Sequence, residues 1–156
     1  MYHRILVPLD GSAPSERGLR EAIRLAADQK ATLFLLHVLD DYPMLSEGTS
    51  VRSYEATLNR MRRHASELLA KANDAAAEAG IHAKTVLREV TPATVADAIL
   101  DEAVKLGCDL IVMGTHGRRG VSRLTMGSEA ELVVRMSPVP VLLVRKEAHA
   151  AEPVVA

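Results

Sequence analysis

The residues best suited to chemistry are glycines placed on either side of a short basic segment. Gly114, Gly117 and Gly127 are separated by two and then nine residues, and Ser128 follows directly. Glycine has no Cβ, so its backbone can adopt positive φ and come close to a ligand. Three arginines, at positions 118, 119 and 123, stand between the second and third of these glycines. Backbone amides and guanidinium groups in this arrangement favour the binding of phosphate.

The elements on either side of this glycine loop strengthen the phosphate interpretation. An apolar run over residues 108–113 (CDLIVM) predicts a buried strand, and the spacing after Gly127 predicts a helix over Ser128 to Met136. The start of a helix offers unpaired N–H groups and the positive end of a dipole. A purely structural interpretation stays open: Ser128-Glu129-Ala130-Glu131 matches the S-x-x-E capping box, and Gly114 could provide only a tight exit from the strand.

In the phosphate interpretation, the N–H groups around Gly117 and Gly127 hold the phosphate oxygens. The Ser128 hydroxyl donates a further hydrogen bond, and Arg118 or Arg119 contributes positive charge. His116 either contacts the phosphate too or faces solvent.

Asp10 is the first candidate outside the glycine loop. It ends the predicted strand over Ile5 to Leu9, where open α/β sheets place their ligand-binding groups. Its carboxylate could bond ribose hydroxyls or reach the phosphates through Mg²⁺ or Mn²⁺, which take hard oxygen ligands. The alternative is an Asx-type turn over Asp10-Gly11-Ser12. With few aromatic residues available, Pro8 and Val38 are candidates to pack against a base, or else belong to the core.

Composition narrows the class of protein. The chain has 156 residues, enough for one domain, and a formal net charge of −1, which argues against a general nucleic-acid or membrane-surface binder. One cysteine, Cys108, excludes an internal disulfide and predicts an inert buried thiol. No signal-peptide pattern and no apolar stretch of membrane-spanning length is evident, so a cytoplasmic location is expected.

Hydrophobic patterning predicts five strands alternating with four helices. Such alternation favours a mostly parallel sheet with helices on both faces. Apolar and polar residues alternate most clearly over residues 81–90, which predicts a half-exposed edge strand. The strand Val139–Val144 is apolar, so at a sheet edge it would be prone to aggregation unless another element or chain covered it. A homodimer through Val139–Val144 is therefore expected. Thr91-Pro92 is predicted to begin one helix, and Arg60, Arg62 and Arg63 are predicted to form a solvated helix face.

The spacing of the residues argues against several known types of binding site. A Walker loop (G-x-x-x-x-G-K-[ST]) and a dinucleotide fingerprint (G-x-G-x-x-G) are absent, and the six histidines make no zinc-binding pair. A phosphoacceptor receiver domain expects an aspartate at the end of strand three, where this chain has Arg88-Glu89-Val90.

With these features, the chain resembles a universal stress protein of the nucleotide-binding type. That family carries G-x2-G-x9-G-[ST], which Gly114, Gly117, Gly127 and Ser128 match position for position. The opening and closing segments, residues 5–12 (ILVPLDGS) and 138–144 (PVPVLLV), are similar as well. The similarity covers residues 2 to about 146. Residues 1–146 are accordingly expected to form one domain, and residues 147–156 a flexible tail.

The resemblance implies a Rossmann-like, adenine nucleotide alpha hydrolase-like fold. Its doubly wound five-stranded sheet would have the order 3-2-1-4-5, the homodimer would form through strand five, and ATP would bind between strands one and four. Carried over residue by residue, the nucleotide-binding set would comprise Pro8, Leu9, Asp10, Val38, Met113, Gly114, Thr115, His116, Gly117, Arg118, Arg119, Gly120, Gly127, Ser128, Glu129 and Ala130. The loop over residues 40–52 departs from the family and leaves the question of a lid open.

The expected function is ATP binding by a cytoplasmic stress-response dimer whose nucleotide state signals to partner proteins that the sequence does not identify. Phosphoryl transfer needs positioned charge, a metal and a group that orients water. No dedicated base is evident, so at most slow hydrolysis is expected. The alternatives are an ATP-hydrolysing enzyme or switch with real turnover, and a nucleotide-free interaction module.

Overall fold

A computed structural model describes residues 1–41, 48, 50–90, 93–115 and 126–145 of the chain. Within these ranges strands and helices alternate as the sequence predicts. The elements are β1 (Arg4–Pro8), α1 (Ala13–Gln29), β2 (Thr32–Asp40), α2 (Val51–Glu78), β3 (Ala83–Val90), α3 (Val95–Lys105), β4 (Leu110–Gly114), α4 (Ser128–Met136) and β5 (Val141–Val144).

The strands of the described residues form one parallel sheet in the order β3-β2-β1-β4-β5. The central strand β1 pairs with β2 and β4, so that Ile5 stands between Leu33 and Leu110. This arrangement confirms the predicted fold class and strand order. It also places β3 and β5 at the two edges, as expected for both.

Two apolar clusters cover the two faces of the sheet. On one face, α1 and α2 pack against alternate strand residues such as Ile5, Val7 and Val112. On the other face, α3 and α4 pack against the intervening residues, among them Leu6 and Ile111. Because successive side chains of a strand point to opposite faces, strands covered on both sides must be apolar throughout. This explains the continuous apolar runs of β1, β2 and β4.

Some predicted boundaries were wrong. Helix α3 begins at Val95, because the Thr94 hydroxyl accepts a hydrogen bond from the Asp97 N–H and so caps the helix there. Thr91 and Pro92, the predicted start, lie outside the described residues. Strand β5 begins at Val141, two residues later than predicted, and its ladder opens with the Pro140 carbonyl accepting from Ile111 N–H at 3.0 Å.

In the long helix α2, the buried stripe comprises Leu58, Ala65, Leu69, Ala72 and Ala76. Two further predicted segments fall outside the described residues, namely most of the loop over residues 40–52 and the tail over residues 147–156.

Candidate functional site

The candidate site lies at the carboxyl ends of β1 and β4. From β1 the chain crosses through α1 to β2 on one side of the sheet, and from β4 it crosses through α4 to β5 on the other. In an open parallel sheet, a crevice forms where neighbouring strands send the chain in opposite directions. Asp10, Thr115 and the start of α4 therefore border the same crevice.

Asp10 closes a tight turn between β1 and α1. Its Oδ1 atom accepts a hydrogen bond from the Ser12 N–H at 2.9 Å, and Gly11 has a φ of +81°, which favours glycine. Ser12 in turn caps α1 by accepting from the Ser15 N–H at 3.2 Å. The Asx-type turn considered from the sequence is therefore present, and it fixes the half-buried Asp10 carboxylate at the strand end.

The predicted base-binding residues Pro8 and Val38 lie on one face of the sheet, and of the other apolar residues in the predicted set Met113 shares that face whereas Leu9 does not. Val38 and Met113 belong to the cluster under α3 and α4, and Pro8 shares the face of Leu6 in that cluster. Pro8 and Val38 are partly exposed, whereas Met113 is buried. Leu9 packs into the opposite cluster, under α1 and α2.

The backbone of Leu9 ties β1 to β2 beyond the end of its ladder. Its N–H donates to the Leu36 carbonyl at 2.8 Å, and its carbonyl lies 2.7 Å from His37 Nδ1. The side chain of Leu9 thus serves the core, while its backbone sets the position of Asp10.

Gly114 is needed by the protein's own packing. A Cβ on Gly114 would lie 2.4 Å from the Pro14 carbonyl oxygen and 2.5 Å from its carbon, so the end of β4 touches the first turn of α1 directly. Gly18, one turn further along α1, faces the same backbone: a Cβ there would lie 3.1 Å from Gly114 N. The structural interpretation of Gly114 therefore has a concrete basis.

The two ends of the glycine loop meet. The Gly127 N–H donates to the Thr115 carbonyl at 2.8 Å, and the Thr115 N–H donates to the Val144 carbonyl at 3.2 Å. Thr115 itself is buried. Between these fixed ends, the predicted ligand residues His116, Gly117, Arg118, Arg119 and Gly120 lie outside the described residues.

Helix α4 starts without a side-chain cap. Gly127 occupies the N-cap position and Ser128 is the first helical residue, so the alternative interpretation of Ser128 as the start of a capping box was wrong. The first helical hydrogen bond runs from Glu131 N–H to the Gly127 carbonyl at 2.9 Å. The N–H groups of Ser128, Glu129 and Ala130 precede that bond and have no acceptor within the helix. These donors, and the partial positive charge of the helix end, suit an anion.

The side chains of this first turn point in different directions. Ser128 is exposed, and Ala130 is buried against the cluster under α3 and α4. The Glu129 carboxylate turns to α3, where its Oε2 atom accepts from the Ala96 N–H at 2.8 Å. Of the predicted phosphate-binding set, Glu129 and Ala130 can therefore contribute only their backbone amides.

Sequence reasoning missed a polar cluster at the carboxyl ends of β2 and β3. The Tyr54 hydroxyl donates to Asp41, and this hydrogen bond raises the pKa of Tyr54. Arg62 makes a two-pronged ion pair with Glu89, with Nη2 at 2.8 Å from Oε2, so the prediction of a purely solvated Arg62 was wrong. The only signal in the sequence was the spacing of Tyr54 and Arg62, which puts them on one face of a helix. Their partners come from strands that only folding brings near.

The described residues also bear on metal binding, thiol reactivity and the presence of a membrane-spanning helix. In these ranges no group of three or more His, Cys, Asp or Glu side chains could hold a metal ion. Cys108 is buried, and burial raises the pKa of its thiol to about 11, which keeps it protonated and unreactive at neutral pH. No helix in the described part of the chain is long and apolar enough to span a bilayer.

Comparison with known proteins places these features in one family. The sequence model of the Universal stress protein family matches residues 1–145. Universal stress protein MJ0531 of Methanocaldococcus jannaschii is 34% identical over 149 residues, covering 94% of this chain and 84% of that protein.

Two solved structures extend the comparison to the fold. Hypothetical protein MJ0577 superposes with a TM-score of 0.83 at 26% identity, covering 94% of this chain and 98% of the other. A universal stress protein in complex with cAMP superposes with a TM-score of 0.64 at 26% identity, covering 92% and 97%. The family match spans all the described residues, including the crevice between β1 and β4. The chain therefore belongs to the universal stress protein family.

Proposed function

We propose that this protein binds adenine nucleotides, ATP above all, in the crevice between β1 and β4. The observation that carries the proposal is the start of α4, where three backbone N–H groups without helical acceptors stand next to the closed ends of the glycine loop. A similar protein of the family has been solved with cAMP, a nucleotide that presents the same adenosine and a phosphate.

In this proposal each part of the crevice holds one part of the nucleotide. Pro8, Val38 and Met113 lie on one face of the sheet and offer apolar contacts to the adenine. Asp10 bonds the ribose, because its turn holds the carboxylate at the end of β1. The phosphates lie against the amides of Ser128 to Ala130 and against the loop residues from Gly114 to Gly120, with the Ser128 hydroxyl and Arg118 or Arg119 as further donors.

A divalent ion would enter with the phosphates. Since the described residues offer no three-residue metal cluster, Mg²⁺ or Mn²⁺ would be held mainly by phosphate oxygens. In the alternative to its ribose contact, Asp10 would be the protein ligand of this ion, as a hard carboxylate oxygen donor. The ion would neutralise phosphate charge.

The biological role that we propose is that of a nucleotide-dependent sensor or switch in the cytoplasmic stress response. Residues 1–146 would form its functional domain. Hydrolysis would be slow at most, because catalysis would also require a group that orients the attacking water.

We further propose that the protein acts as a homodimer through Val139–Val144. Strand β5 lies at the sheet edge, and Leu142 is 38% exposed there. An apolar edge strand presents unpaired N–H and C=O groups, which a second copy would satisfy.

A nucleotide-free interaction module is the second candidate, favoured by the contact between Gly114 and Pro14. That contact explains the glycine at position 114 by packing alone, without a ligand. Substitution of another glycine of the motif, Gly117, therefore distinguishes nucleotide binding from a purely structural loop.

Calorimetric titration with ATP tests the proposal. We expect binding by the wild type and none by Gly117→Val, because a side chain at Gly117 would occupy phosphate space, while urea unfolding of that variant stays unchanged. A phosphate-release assay separates the switch from an enzyme: turnover above about 1 per second is typical of enzymes. No wild-type binding at millimolar ATP, or unchanged affinity in Gly117→Val, would contradict the proposed site.

A further inference from the structure

Glu129 connects two helix starts that are far apart in sequence. It is the second residue of α4, and its Oε2 atom accepts from the N–H of Ala96, the second residue of α3, at 2.8 Å. Thr94 caps α3 through the Asp97 N–H only. Glu129 therefore satisfies an N–H group of α3 that has no acceptor within its own helix.

This contact holds a carboxylate in place at the positive ends of two helices. Negative charge in the first turn is stabilised by the helix dipole. The chain packing nearby restricts the side chain further, since Ala96 and Ala130 are both buried in the same cluster. The carboxylate cannot leave this position between the two helix starts without giving up its hydrogen bond to Ala96.

A phosphate group at the start of α4 would share this region with the Glu129 carboxylate. Both are anions, and both are attracted by the same helix end. Repulsion between them grows with the charge of the ligand, and therefore with the number of its phosphates. Mutual repulsion reduces the advantage that a triphosphate gains from the helix dipole.

We propose that Glu129 sets the preference of this site for phosphate number by limiting how strongly the site favours ATP over ADP and AMP. This inference rests on the proposed function, and it adds a residue whose side chain acts through charge and not through contact with the ligand. The hydrogen bond to Ala96 keeps the charge in position.

The test compares Glu129→Gln and Glu129→Ala with the wild type. Glutamine removes the charge and keeps an oxygen that can accept from Ala96, whereas alanine removes both. The matched control is Glu131→Gln: Glu131 lies in the same helix, and its carboxylate pairs with Arg135 at 2.6 Å.

Affinities for ATP, ADP and AMP are measured by calorimetry in EDTA, so that no divalent ion offsets the phosphate charge. In Glu129→Gln we expect ATP to bind about three- to tenfold more tightly, with the gain falling from ATP to ADP to AMP. In Glu131→Gln we expect a change of less than about twofold, because the Glu131 carboxylate, although in the same turn, is exposed to solvent and already paired with Arg135.

Amide hydrogen exchange supplies a readout that does not need a ligand. The Ala96 amide should exchange at least about fivefold faster in Glu129→Ala than in the wild type, and at the wild-type rate in Glu129→Gln. Nucleotide binding with an unchanged ATP-to-AMP ratio in Glu129→Gln, or with weaker ATP binding, would overturn this inference alone. Failure of the wild type to bind any of the three nucleotides would overturn the proposed function, and this inference with it.

Discussion

The contact between β4 and α1 gives a stability prediction that the sequence motif alone would misassign. In Gly114→Ala, the new Cβ would lie 2.4 Å from the Pro14 carbonyl oxygen, where ordinary contacts begin at 3.4 Å. The backbone of β4 and α1 would have to separate by about 1 Å, the difference between these two distances. Gly114 does not have a positive φ, so the whole cost is steric.

The magnitude follows from what must move. Overpacking in a core costs typically about 1–3 kcal/mol, and here both partners are backbone atoms that cannot rotate away. We therefore expect a loss of about 3 kcal/mol in the free energy of unfolding, a large share of the roughly 5–15 kcal/mol of a typical domain. With a urea m-value of about 2 kcal/mol/M, the midpoint should fall by about 1.5 M.

Equilibrium urea unfolding measures this loss, and Gly18→Ala is the control from the same contact. A Cβ at Gly18 would lie 3.1 Å from Gly114 N, which requires a shift of only a few tenths of an ångström. The alanine also gains roughly 0.5–1 kcal/mol of helix stability, so we expect a net change within about 1 kcal/mol. If Gly114→Ala unfolded within about 0.5 kcal/mol of the wild type, the close packing described for this glycine would be refuted.

This prediction also bears on the design of binding experiments. A loss of ATP binding in Gly114→Ala would follow from displacement of α1 and β4 and would not identify a phosphate contact. Gly117→Val, in which a loss of binding is expected without a loss of stability, is therefore the sharper test of the site.

Three further predictions concern the site, the polar cluster and the sheet edge. Ser128→Ala should weaken ATP binding but change the unfolding free energy by less than about 0.5 kcal/mol, because Gly127 and not Ser128 is the N-cap; a loss near the ~1 kcal/mol of a true cap would contradict this. The hydrogen bond from Arg62 lowers the pKa of Glu89, so their pair stabilises the fold above the unfolded pKa and this contribution is lost as the pH falls. Arg62→Met should thus lower the urea midpoint only slightly at pH 7, since the pair is half-exposed, and the difference from the wild type should shrink as the pH falls through the lowered pKa of Glu89; a difference that stays constant across pH would show that the pairing is unimportant. Leu142→Glu should give a monomer in sedimentation at micromolar concentration if β5 is the dimer contact, and an unchanged dimer would exclude that edge.

Much of the fold was readable in the sequence because it depends on local patterns. Apolar residues recur every two residues or continuously in buried strands and about every 3.6 residues in helices, because those are the positions that face the core. These patterns predicted every strand and helix of the described residues. The spacing of Gly114, Gly117, Gly127 and Ser128 likewise pointed to the family that the comparisons show. The boundaries were less accurate, since a single cap such as Thr94 decides where a helix begins.

What only the tertiary structure decided are the contacts between residues distant in the chain. Glu129 reaches Ala96, Arg62 pairs with Glu89, and Gly114 touches Pro14, and none of these partners is marked by a local pattern. Each contact arises because parallel strands and their crossover helices bring the carboxyl ends of the sheet together. The same residue types would make different contacts in another strand order, so side-chain roles at this edge follow from topology and packing.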